Sequence, residues 1–117
     1  MHSLLRGVLL LVTASYAQLP QPHTALVHTP DVDLATFTYG KPSTTTPIIA
    51  VNGGPGLSHV YMIQNDVWTR RIAEHRQVIF YDQRGTGASR HLRPGAAQTM
   101  DAQVNDLEAV RSLAACG

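Results

Sequence analysis

Two short apolar runs, each emptying into a glycine loop, constrain this chain more than any other feature. Ile48-Ile49-Ala50-Val51 is continuous, and Gln77–Tyr81 carries Val78-Ile79-Phe80. Neither alternates polar with apolar. Such a run fits a strand covered on both faces, which is the condition of a parallel sheet flanked by helices; a sheet with one wet face would alternate. Each run is followed at its carboxyl end by a Gly-rich loop, Asn52–Ser58 and Gln83–Gly95.

The rest of the chain fits the same scheme. Thr24–His28 predicts a short strand. Asp31–Tyr39 predicts another, with Ala35, Phe37 and Tyr39 on one face and Leu34, Thr36 and Thr38 on the other. Pro30 between them suits a turn, and Gly40–Pro47 reads as a loop. Val67–His75 predicts a helix with Asp66 as its N-cap. Thr99–Ala115 predicts the longest helix. Its apolar stripe is Met100, Val104, Leu107, Val110 and Ala114, with Asp101 in the first turn, Arg111 near the last and Gly117 placed as a C-cap. Two antiparallel-type leading strands, then strand, helix, strand, helix, predict an α/β fold with an incomplete sheet whose buried strands leave unpaired edges.

The chain has 117 residues, room for one small domain. With 44% hydrophobic and 15% charged residues it has a globular composition. A formal charge of +1 and no Lys/Arg cluster exclude a nucleic-acid surface and a polybasic membrane patch. The single cysteine, Cys116, has no internal disulfide partner and reads as a free thiol. Residues 1–17 have the order of a secretory signal: a lead with His2 and Arg6, an apolar stretch Gly7–Ala14, and small residues at Ser15 and Ala17. The apolar stretch is shorter than the roughly 20 residues of a membrane span. Cleavage after Ala17 is predicted, which makes residues 18–117 an extracellular α/β domain with no further membrane association.

The loops carry the chemistry. Ile48–Gly56 runs from a strand directly into Asn52-Gly53-Gly54-Pro55-Gly56. In α/β sheets, ligands gather at the carboxyl ends of strands. Adjacent glycines let main-chain N–H groups turn into such a site, and paired N–H donors hold the oxyanion of acyl transfer. Gly53 and Gly54 are the predicted donors, with Asn52, Pro55 and Gly56 supporting the loop. The second loop, Asp82-Gln83-Arg84-Gly85-Thr86-Gly87-Ala88-Ser89, reads as further support. There Arg84 offers a fork of donors with Asp82 as a natural partner. Its G-x-G lacks the third glycine opening a helix, and no G-x-x-x-x-G-K-[ST] is present, which disfavours nucleotide binding.

Asn-Gly-Gly-Pro-Gly and, some thirty residues on, Asp-Gln-Arg-Gly-Thr-Gly-Ala-Ser resemble the two N-terminal signatures of the proline iminopeptidase family of α/β-hydrolases. The resemblance spans about Thr24 to Ala115 and is strongest over Ile48–Ser89. It implies serine hydrolysis of an N-terminal residue, often proline, from a peptide or small amide. It also implies a Ser-His-Asp triad without metal or organic cofactor. Asn52 departs from it, since histidine usually stands before the double glycine, and this loosens the expectation about substrate. The family's G-x-S-x-G nucleophile elbow is not found, and the acid and base follow it in chain order. The expectation is therefore a truncated hydrolase domain, inactive as written. His23, His28, His59, His75 and His91 have no recognisable nucleophile partner, and Ser58 and Ser89 read as loop serines; His59 and Tyr61 are placed to line a substrate pocket. Two alternatives stand beside this reading: another α/β-hydrolase, such as an esterase or epoxide hydrolase, and a non-catalytic secreted fragment that binds a peptide or partner.

Overall fold

The computed structural model describes residues 21–54, 56–63 and 66–115, with the Asp66 side chain left aside. The leader expected over residues 1–17, and Pro55, Cys116 and Gly117, lie outside the described residues, as does the N-cap role expected of the Asp66 side chain.

Four strands form one open mixed sheet in the order β1-β2-β4-β3. They are β1 (His23–His28), β2 (Asp33–Tyr39), β3 (Ile48–Ala50) and β4 (Val78–Tyr81). β1 and β2 form an antiparallel hairpin, β2 pairs antiparallel with β4, and β3 pairs parallel with β4. The hairpin turn begins at Thr29, whose amide bonds to the Val32 carbonyl at 3.0 Å. The Thr29 hydroxyl donates to that same carbonyl and accepts the Val32 amide, a local bonding that Thr offers at turns. β2 accordingly starts at Asp33, two residues later than the sequence suggested.

Between the parallel strands lie α1 (Val60–Ile63) and α2 (Asp66–Ala73); after β4 come a 3₁₀ turn (Gly87–Ser89) and α3 (Met100–Ala115). The period-2 alternation of β2 holds, and both of its faces are covered. Val32 and Leu34 join Ile79 and Tyr81 of β4 under Val110 of α3. Phe37 and Tyr39 join Val78 and Phe80 on the opposite face, against Met62, Ile63 and Ile72. The register explains the sorting, because Phe37 faces Phe80 and Tyr39 faces Val78 across the ladder. A strand between two neighbours and two helical layers has no wet side, and all four residues of β4 are buried.

Two expectations need correction, and one element had no counterpart in the sequence reading. β3 is half-buried rather than buried, because it forms an edge of the sheet with a neighbour on one side, and Val51 beyond it is 46% exposed. Residues 59–66 contain a short helix, α1, that the periodicity did not reveal. The stripe of α3 holds at Leu107, Val110 and Ala114, which pack in the core, and fails at its first two positions. Its buried residues are Ala102, Asp106 and Val110, at steps of four, while Met100 and Val104 stand 76% and 56% exposed. The side chain that turns the helix this way is charged. Asp106 receives Arg84 Nε at 2.7 Å and Nη2 at 2.8 Å, and both side chains are almost wholly buried. The N-terminus of α3 is closed by Thr99, whose hydroxyl accepts the Ala102 amide, one of the donors a first turn leaves unpaired.

Candidate functional site

The site is built where the ends of β3 and β4 lie side by side. Asn52, buried, leaves β3 and turns its side chain back across its own loop. Its Nδ2 donates to the Leu57 carbonyl at 2.8 Å and reaches the Ser58 carbonyl at 3.4 Å. The loop thus closes on itself through one amide. Gly54 and Gly56 take φ of +92° and +95°, a backbone region that side-chain-bearing residues rarely adopt. Gly53 and Gly54 are exposed, and among the described residues neither amide donates a hydrogen bond. An amide pair left uncommitted at a strand's carboxyl end can accept an anionic oxygen from outside the fold.

The loop after β4 holds the first loop at two points. Gln83 Nε2 donates to the Asn52 carbonyl at 2.9 Å. Asp82 Oδ1 accepts both the His59 amide at 2.7 Å and His59 Nδ1 at 2.8 Å, and Asp82 Oδ2 accepts the Ala88 amide at 2.9 Å. Burial pushes the Asp82 carboxyl up, but the hydrogen bonds from the His59 side chain, the His59 amide and the Ala88 amide outweigh it, so the group stays below its ordinary value. A Cβ on Gly87, at φ +46°, would overlap the Asp82 carboxylate, so a glycine at this position lets the second loop pass.

Arg84 does not pair with Asp82. Its guanidinium binds Asp106 in a fork, reaches Asp31 at 3.0 Å and donates to the Ala97 carbonyl. Its pKa is raised, chiefly by the bonds to Asp106. The physical reason is direction: Asp82 faces the glycine loop, and Arg84, two residues on, faces α3. Gly85, exposed at φ +78°, lets the chain turn between them and the 3₁₀ segment, and its amide bonds to the Ser89 carbonyl. Ser89 is buried, its Oγ accepting the Ala35 amide at 2.9 Å, so it joins the loop to β2.

A cavity of about 470 Å³ opens beside the glycine loop, between the ends of β3 and β4 and the first half of α3. Its lining includes Asn52, Gly54, Gln83, Gln103, Val104 and Leu107, and none of the described lining residues is charged. Among the described residues, the buried Gln83 Oε1 and Gln103 Oε1 have no hydrogen-bond partner. His59 and Tyr61, placed at a pocket by the sequence, are not in this lining. His59 lies beneath the loop, stacked on Phe37, and Tyr61 is 61% exposed on α1. Gln103 and Leu107 carried no signal as cavity residues, because a helix position declares a period and not what it faces. Among the described residues no cluster of His, Cys, Asp and Glu could hold a metal ion, and no helix is long and apolar enough to cross a membrane.

No protein-family profile matches the chain, and no curated protein does. Solved structures do. One is a mutant of a "putative epoxide hydrolase" from Pseudomonas aeruginosa, 28% identical, with a TM-score of 0.62 over 82% of this chain and 30% of that one. The unmutated protein of the same description is 26% identical, with a TM-score of 0.61 over 82% and 31%. The chain spans about a third of the length of the solved structures it matches. Four mixed strands, helices on both faces and this similarity identify the chain as part of an α/β-hydrolase fold.

Proposed function

We propose that the Asn52–Ser58 loop is the oxyanion-binding arm of an acyl-transferring α/β-hydrolase whose substrate is a peptide or small amide. The reading is carried by the uncommitted amides of Gly53 and Gly54 at the carboxyl end of β3, held from the loop after β4. In such enzymes one donor comes from this strand's loop and the other follows the nucleophile. One of the Gly53 and Gly54 amides polarises the scissile carbonyl, together with an amide that follows the nucleophile. The aminopeptidase form of the reading rests on the Asn-Gly-Gly-Pro-Gly and Asp-Gln-Arg-Gly-Thr-Gly signatures. No cofactor enters the scheme. Secretion after loss of residues 1–17 is part of the same proposal.

A second reading, epoxide hydrolysis, is favoured by the description of the matched structures. The two part at the nucleophile, serine for amides and aspartate for epoxides. The chain as written is expected to turn over neither proline p-nitroanilide nor styrene oxide. The longest transcript containing it, read past Gly117, is expected to encode G-x-S-x-G and to yield a protein that cleaves the anilide. An aspartate in that elbow with epoxide turnover overturns the amide reading.

A further inference from the structure

The geometry points to His59 as the residue that positions the glycine loop, with Asp82 acting on the loop through it. This rests on the oxyanion reading of Gly53 and Gly54 and adds to that site a residue that touches no substrate. Eight residues, Val51–Ser58, separate the end of β3 from His59. The near end is fixed where Gln83 holds the Asn52 carbonyl, and the far end where Asp82 holds His59 by main chain and side chain together. The two anchors are consecutive residues of one loop, so the span between them is set by the rigid end of β4.

The chemistry of the pair fixes the imidazole. An ionised carboxylate only accepts hydrogen bonds, and Asp82 takes three of them. Nδ1 of His59 must therefore carry a proton, and the neutral ring is the Nδ1–H tautomer. The ring is stacked on Phe37, centroids 3.6 Å apart at 16°, with Phe80 at 6.4 Å. Buried between the sheet face and the loop, it has no room to swing away. The His59 carbonyl also accepts the amides of Met62 and Ile63, so the same residue starts α1. The loop ends and the helix begins on one side chain's anchor.

The test uses nitrogen-15 spectra of the full chain and two variants. In the wild type, His59 Nδ1 is expected to be protonated; a bare Nδ1 overturns the inference without any variant. His59→Phe keeps an aromatic ring against Phe37 and removes the Nδ1–H. Its Gly53 and Gly54 amide signals are expected to move and broaden more than any in β1 or β2. His59→Asn places an amide donor near the lost Nδ1 and is expected to return them toward wild-type positions. Gly53 and Gly54 signals unchanged in His59→Phe would overturn the inference, and so would failure of His59→Asn to restore them. If His59→Phe fails to fold, the wild-type ring and the Asn variant decide. None of these readouts is catalytic, so the positioning role and the hydrolase reading fail separately.

Discussion

Asp82 and Arg84 stand two residues apart on the same loop and do opposite work. Asp82 gathers backbone amides and one imidazole, and everything it touches belongs to the two loops at the strand ends. Arg84 gathers two carboxylates and one carbonyl, and what it touches lies on α3, just ahead of α3 at Ala97, and in the turn before β2. The first arrangement shapes a short stretch of main chain; the second docks a whole helix. A loop whose amides are left unspent must take its shape from groups bound at its ends. A helix needs only a strong point of attachment. The prediction is that damage on the Arg84 side appears as lost stability and damage on the Asp82 side as lost loop shape.

The largest break in that contrast is Asp106→Ala. It leaves Arg84 buried with only Asp31 and a carbonyl, and removing one partner of a buried pair costs about 3–5 kcal/mol. Urea unfolding is expected to show a large drop in midpoint. A change under about 1 kcal/mol would mean that water reaches the pair, as for a surface ion pair. Gly87→Ala comes next. The added methyl overlaps the Asp82 carboxylate and must sit at positive φ, where strain costs about 1–3 kcal/mol. Its signature is a lower midpoint together with displaced His59 and Ala88 amide signals, which Asp106→Ala should leave closer to their native positions.

Acid sharpens the comparison with a smaller effect. The Asp82 pKa is lowered in the folded chain, so its contribution is complete above the unfolded carboxylate value of about 4 and is lost as pH falls through the folded value. Stability of the wild type is expected to fall on going below about pH 4 more steeply than that of Asp82→Asn; parallel profiles would show that Asp82 carries no linked proton. The smallest expected effect is Arg111→Ala. Arg111 pairs with Glu108 on the exposed side of α3, and no shift in unfolding midpoint is expected.

Sequence reading reached some of this and missed the rest for definable reasons. Val78–Phe80 was legible as a buried strand because burial on two faces leaves no polar residue in the run. The same logic overstated β3, since being at an edge is a property of the neighbours and not of Ile48–Ala50. The two glycine loops were legible as neighbours through their placement after successive strands. Their actual joints, Gln83 to Asn52 and Asp82 to His59, were not, because each links residues more than twenty positions apart. Arg84 was assigned the nearest carboxylate in sequence and took the one across the fold. The stripe of α3 was legible at Leu107, Val110 and Ala114 and misplaced at Met100 and Val104, because a hydrophobic period counts apolar residues and the buried face was chosen with Asp106 on it.

That choice has a consequence for how α3 can be altered. A charge pair fixes a helix's rotation about its own axis more sharply than grease does, because a guanidinium fork tolerates few angles while methyl groups slide. Replacing Arg84 and Asp106 together with well-fitted apolar residues would then yield a chain as stable as the original or more so. Its last helix would be free to roll, carrying Met100 and Val104 toward or away from the glycine loop. Robustness and alignment are then separable, and the double replacement is expected to lose alignment while keeping stability.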